Sequence, residues 1–229
     1  LMKTYKKNFD LLKKNNVYSE DMEHDACGVG LIASTEGKKS RNVVEYGIEA
    51  LKAVWHRGAV DADGKTGDGA GIHLEIPKDF FIEKIEVTGH THDNSEICVG
   101  MIFLPRNDYA AQESCKTIVE SELTKNDFNI YGWRQVPVNP KVLGEKAFQT
   151  MPEIIQVLFK PHNKELTNKD LERKIYETRR KIENEAFKKS LNNFYICSLS
   201  SKSIIYKGMF LAEAISEFYL DLNDERFVY

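Results

Sequence analysis

At 229 residues the chain is long enough for one sizeable domain with its own core. A hydrophobic fraction of 41% and a charged fraction of 29% are ordinary for a globular protein and argue against disorder. The formal net charge of −3 argues against a non-specific nucleic-acid binder, which needs a basic surplus to displace counterions.

No apolar run approaches the roughly 18 to 20 residues that span a bilayer. The N-terminus, Leu1 to Lys14, is basic but lacks the apolar centre of a secretory signal. A cytoplasmic location is therefore expected, with no membrane and no nucleic acid among the partners. The cysteines (Cys27, Cys98, Cys115, Cys197) are widely spaced and form no CxxC pair, so reduced thiols are expected rather than a disulfide framework.

Residues 1–26 are polar, with a short helical pattern at Phe9, Leu11 and Leu12 followed by the acidic stretch from Ser19 to Asp25. The character changes at Cys27-Gly28-Val29-Gly30-Leu31-Ile32-Ala33, an apolar run that predicts a buried strand. From Asn42, apolar or small residues at Val44, Gly47, Ile48, Leu51, Val54 and Trp55 fall on one helical face. Ser40 or Asn42 would cap this helix, and Gly58, after His56-Arg57, would stop it. A glycine-rich loop from Asp61 to Gly69 then leads into a strand from Ala70 to Ile76, ended by Pro77.

Further on, Ile97 to Leu104 reads as a buried strand and Asp108 to Leu123 as a helix. Asn129 to Val138 and Ile154 to Phe159 read as extended. Thr167 opens a long helix with Leu171, Ile175, Ile182 and Ala186 on one face, leaving Arg179-Arg180-Lys181 and Lys188-Lys189 on a solvated one. Asn193 to Ser200 and Ser203 to Tyr206 read as a hairpin about Ser201-Lys202, and a last helix is predicted from Leu211 to Phe218. The ending Arg226-Phe227-Val228-Tyr229 is strand-like, so a fragment of a longer reading frame is expected. Mixed strands and helices without a βαβ repeat predict an α+β layered domain.

Taken alone, Cys27 reads as a small buried hydrophobe, as do Cys98, Cys115 and Cys197. What distinguishes Cys27 is its place at the junction of a polar leader with a patterned domain, with Gly28 and Gly30 beside it. Glycine in a strand often marks close approach by a ligand or another backbone. His90-Thr91-His92-Asp93 reads as a solvated loop, because no further His or Cys cluster lies near it, and no metal site is expected. The Thr66 to Gly71 loop precedes a strand and lacks a Gly-Lys-Ser/Thr ending, which excludes a phosphate-binding loop.

Together these residues carry a resemblance. Cys27-Gly28-Val29-Gly30, a helix ending His56-Arg57-Gly58-Ala59, and Thr66-Gly67-Asp68-Gly69-Ala70-Gly71-Ile72 resemble the start of the glutamine amidotransferase domain of the glutamate synthase large subunit. Cys-Gly followed by a helix and Arg-Gly is shared by the wider class II, or N-terminal nucleophile, amidotransferases. The specific match covers roughly residues 20 to 80.

The resemblance implies a four-layer α/β/β/α sandwich of the N-terminal nucleophile hydrolase type, incomplete at its C-terminus. It implies that residues 1–26 are a propeptide removed on maturation, with 27–229 the N-terminal part of the amidotransferase domain. Cys27 would be the nucleophile, Arg57 a supporting charge, Gly58 a close backbone approach, and Asp68 a residue beside the cleft. L-glutamine would be the substrate, and its ammonia would pass to 2-oxoglutarate on another part of the large subunit. FMN and an iron–sulfur cluster are expected in the full-length enzyme and none in this segment, with electrons from ferredoxin or, through a small subunit, from NADPH.

The chemistry of an N-terminal cysteine supports this independently. A free thiol has a pKa near 8.5, so only about a few per cent is thiolate at neutral pH. A free α-amino group, with a pKa of about 7.7 to 8.0, is partly neutral and able to take a proton. Cleavage between Ala26 and Cys27 would put nucleophile and base on one residue.

The family also carries an Arg-Phe-Ser-Thr stretch and an Asn-Gly pair, for the substrate carboxylate and the oxyanion hole. This sequence has no Asn-Gly, and Arg226-Phe227 continues as Val-Tyr. The substrate-binding residues are therefore expected beyond Tyr229, and the isolated piece is expected to be inactive. Two alternatives stay open: another class II enzyme of the amidophosphoribosyltransferase type, and a non-catalytic domain of the same fold.

Overall fold

A computed structural model describes residues 2–15, 27–54 and 59–228. Its elements in chain order are α1 (Met2–Lys14), α2 (Arg41–Ala53), β1 (Ala70–Glu75), α3 (Lys78–Val87), β2 (Cys98–Leu104), α4 (Tyr109–Lys125) and β3 (Phe128–Gln135). They continue as α5 (Glu145–Thr150), β4 (Glu153–Pro161), α6 (Asn168–Lys188), β5 (Tyr195–Ser200), β6 (Ser203–Gly208) and α7 (Ile215–Phe218), with 3₁₀ turns at Pro140–Val142, Ala212–Ala214 and Leu220–Asn223.

The strands form two antiparallel sheets, β3-β4-β2-β5 and β1-β6. The expected α+β class is thus what the chain adopts. The larger sheet is buried on both faces, which explains why β2 and β4 read as unbroken apolar runs rather than alternating ones. Cys98, Ile102 and Leu104 of β2 and Ile155, Val157 and Phe159 of β4 share one core with α4 and α6. On the opposite face, Val99, Met101, Ile154 and Leu158 join a second core with α2, β1, α3, β6 and the chain through Phe227.

Helices α2, α4 and α6 start where their capping residues predict. Ser40 accepts from the Asn42 amide, Asp108 from Ala111 and Thr167 from Asp170. The buried side of α6 is Leu171, Ile175, Thr178, Ile182 and Ala186, the face read from its periodicity.

Several expectations are corrected. The run from Cys27 to Ala33 forms no strand; Val29 is 90% and Leu31 86% exposed. Among the described residues no strand pairs with it, and an apolar run is buried only where a layer receives it. The strands β5 and β6 are not a hairpin, because β5 pairs with β2 while β6 pairs with β1. Ser200 Oγ accepts from the Lys202 and Ser203 amides at 2.9 and 3.2 Å, turning the chain into the other sheet. Glu172 fastens this corner by accepting from Ser200 Oγ, Ser201 N and Ser201 Oγ.

The predicted last helix is a 3₁₀ turn followed by a single helical turn, and Arg226 to Val228 is not extended strand. Instead Asp224 Oδ1 accepts from Arg226 N, and Phe227 N donates to Asp224 O, which makes a turn. Helices α3 and α5 were not anticipated, although Pro77 before Lys78-Asp79 is a helix-start signal. Arg179 is not merely solvated, since its Nη2 donates to the Ile196 carbonyl at 2.7 Å. Among the described residues no helix is long and apolar enough to cross a membrane.

Candidate active site

Cys27 is exposed, whereas Cys98, Cys115 and Cys197 are buried. Burial pushes the Cys115 and Cys197 thiols up to about 11 and raises Cys98 as well, so these three are protonated at neutral pH. Cys27 is thus the solvent-accessible thiol. The segment that follows it is tied to β1 by Lys39, whose Nζ meets Glu75 Oε1 at 2.6 Å. Arg57, Gly58 and the Ala26–Cys27 junction lie outside the described residues.

The loop before β1 is strongly determined by its own polar atoms. Asp63 Oδ1 accepts from the amides of Lys65 and Thr66 at 2.9 and 2.7 Å, and Oδ2 accepts from Thr66 Oγ1 at 2.6 Å. These hydrogen bonds, Thr66's foremost, hold the Asp63 carboxyl well below the usual carboxylate range. The Asp61 amide donates to the Thr66 carbonyl, and Val60 bridges Gly67, so the loop closes on itself.

Glycine is required at Gly67, where a Cβ would lie 2.7 Å from the Phe210 carbonyl oxygen. Gly69 has φ +134°, a conformation that excludes most side chains. Asp68, between them, is exposed, and its amide donates to the Ala59 carbonyl at 3.2 Å. No hydrogen bond or ion pair joins it to Cys27 among the described residues.

Sequence reasoning placed Thr66 in the motif without a role and missed Asp63. Their spacing was legible as a side-chain-capped turn, but their partners Gly144, Lys146 and Ala147, far along the chain, were not. A cleft of about 350 Å³ lies elsewhere, between the end of β1, Lys78, Asn168 and the Ser201–Ser203 corner, and no motif residue lines it. His90 and His92 hydrogen-bond to Thr88 Oγ1 and the Ser95 carbonyl, while Asp93 pairs with Lys160 and Lys164. Among the described residues no group of three or more His, Cys, Asp or Glu is arranged to hold a metal ion.

The family model of class-II glutamine amidotransferases matches residues 27–229, starting on Cys27 itself. The chain belongs to that family. This amidotransferase chain is 54% identical over 223 residues to the glutamate synthase [NADPH] large chain of Azospirillum brasilense, covering 97% of the chain and 15% of that protein. It is 42% identical over 205 residues to ferredoxin-dependent glutamate synthase 1 of Arabidopsis thaliana, covering 89% and 12%. Against ferredoxin-dependent glutamate synthase 2 of Synechocystis the figures are 38% over 204 residues, 88% and 13%. The amidotransferase chain therefore spans between 12% and 15% of the length of these relatives.

Proposed function

We propose that this chain is the glutaminase part of a glutamate synthase large subunit, with Cys27 as its nucleophile. The observation that carries the reading is the start of the family match at Cys27, the exposed thiol; in this reading residues 1–26 are a propeptide. Cleavage after Ala26 frees the α-amino group of Cys27 to take the thiol proton, directly or through one water. The thiolate then attacks the side-chain amide carbon of glutamine. The C–N bond breaks, the amine leaves as ammonia with the proton returned from the α-amino group, and water hydrolyses the thioester to glutamate.

Arg57 supplies positive charge near the nucleophile, Gly58 allows a close backbone approach, and Asp68 borders the cleft. The fold proposed for residues 27–229 is the four-layer α/β/β/α sandwich. The two cores support it: α4 and α6 pack on one face of the larger sheet, and the β1-β6 sheet with α2 packs on the other.

In this reading the ammonia is used elsewhere on the same polypeptide, in reductive transfer to 2-oxoglutarate. FMN and an iron–sulfur cluster would supply the redox chemistry there. Cys98, Cys115 and Cys197 lie on β2, α4 and β5 and, among the described residues, join no group of three or more His, Cys, Asp or Glu. The names of the relatives support NADPH or ferredoxin as electron donor, with a small subunit serving in the NADPH case.

The test uses the full-length polypeptide. Intact mass should show loss of residues 1–26, and a glutamine-mimicking electrophile should modify Cys27. A Cys27→Ala variant should lose glutamine-dependent activity and keep the ammonia-dependent reaction, which bypasses this site. An active protein that retains residues 1–26, or equal loss of both activities, would overturn the reading.

A further inference from the structure

The segment from Asn139 to Thr150 contributes nothing to the sequence motif, yet it grips the glycine-rich loop. Gly144 precedes α5 and has no side chain with which to cap it. Thr66 supplies the cap from 81 residues away, its Oγ1 accepting from the Ala147 amide at 3.3 Å. The same hydroxyl donates to Asp63, so one side chain joins the loop's internal turn to the helix start.

The fit leaves no slack. Thr66 is 3% exposed, and a Cβ at Gly144 would lie 2.3 Å from both Thr66 Oγ1 and Asp63 Oδ2. At the rim, Lys146 Nζ meets Asp61 Oδ2 at 2.7 Å. On its far side the loop rests at Gly67 against the Phe210 backbone. Gly64 and Gly69 both have positive φ, where glycine's backbone is permissive, so the loop's shape is left to its hydrogen bonds and to these contacts. The side-chain hydrogen bonds of Thr66 run to Asp63 in the loop and to the start of α5, not to either sheet.

We propose that Thr66 is a positioning residue of the glutamine site: by capping α5 across the chain it pins the loop that presents Asp68 and Gly69 to Gly71. The proposal rests on the reading of that loop as a wall of the glutamine cleft. Without the hydroxyl, Asp63 and the α5 amide lose their shared partner and the loop samples other shapes. Glutamine binding then suffers while chemistry elsewhere on the enzyme does not.

The experiment compares Thr66→Val, which keeps the shape and removes the hydroxyl, with Thr66→Ser, which keeps the hydroxyl, in the full-length enzyme. Thr66→Val should raise the glutamine KM by about ten- to a hundredfold. Thr66→Ser should stay within about threefold of the parent, and the ammonia-dependent rate of both within about twofold. Unchanged glutamine kinetics in Thr66→Val would overturn the proposal, as would a parallel loss of the ammonia-dependent rate or a serine variant as damaged as the valine one. Cys27→Ala, measured alongside, separates the two levels. If it keeps glutamine-dependent activity, the nucleophile reading fails and this proposal falls with it; if it loses that activity, the Thr66 outcome stands alone.

Discussion

Arg134 holds Asp221 with both terminal nitrogens, at 2.7 and 2.6 Å, where the aspartate side chain is only 2% exposed. Gln156 accepts from Arg134 at 2.8 Å, and Tyr206 OH donates to Asp221 at 3.1 Å. The network joins β3 and β4 of one sheet to β6 of the other and to the 220–223 turn. Charges buried this deeply are stable only as a pair, because each has given up its hydration. Asp221→Ala should therefore destabilise the fold by about 3–5 kcal/mol. Arg134→Met combined with Asp221→Leu should cost less than either single change. Urea denaturation of the double variant and of the single ones checks this, and a single-variant cost below about 1 kcal/mol would refute it.

Asp68 offers the opposite case. Its carboxylate is exposed and has no hydrogen-bond or ion-pair partner among the described residues. Asp68→Asn should leave stability within about 0.5 kcal/mol of the parent. Its glutamine-dependent rate should nonetheless fall about tenfold or more if the loop borders the cleft. Melting temperature and steady-state kinetics on the same preparation separate the two effects.

Thiol reactivity should follow burial. At pH 8 a disulfide reagent should titrate Cys27 rapidly in the native protein and all the cysteines only after denaturation. Burial removes access to Cys98, Cys115 and Cys197 and keeps them protonated. Rapid native reaction of a second thiol would contradict the packing of β2, α4 or β5.

Acid stability should depend on the last turn. The Arg226 guanidinium beside Asp224 holds its carboxyl down to about 2, and Arg226 also pairs with Glu83. A carboxyl depressed in the folded state adds stability above its unfolded pKa of about 4, and loses it as pH falls toward 2. Arg226→Gln should therefore melt below the parent at pH 6, with the difference closing as pH falls from about 4 to about 2. A difference independent of pH would show that Arg226 acts through packing alone.

How much could be read beforehand varies with the range of the interaction. Ser40, Asp108 and Thr167 start their helices because a cap is decided within one turn of backbone. The strands β2 and β4 were legible as apolar runs, and Cys98, Cys115 and Cys197 as core residues. For the site, the motif from Cys27 to Ile72 pointed to the family that the match over residues 27–229 then established. The same apolar criterion failed for Cys27 to Ala33, because it reports a preference for burial and not the presence of a receiving layer.

By itself, then, the sequence determined the α+β class, the starts of the long helices, and the glycine-rich loop with its family resemblance. All of these depend on neighbours within a few residues. Only the tertiary structure decided that β6 leaves β5 for β1, that Thr66 caps Ala147, and that Arg134 meets Asp221. Periodicity says which face of an element avoids water, but the partner that covers it is chosen by packing between segments remote in the chain.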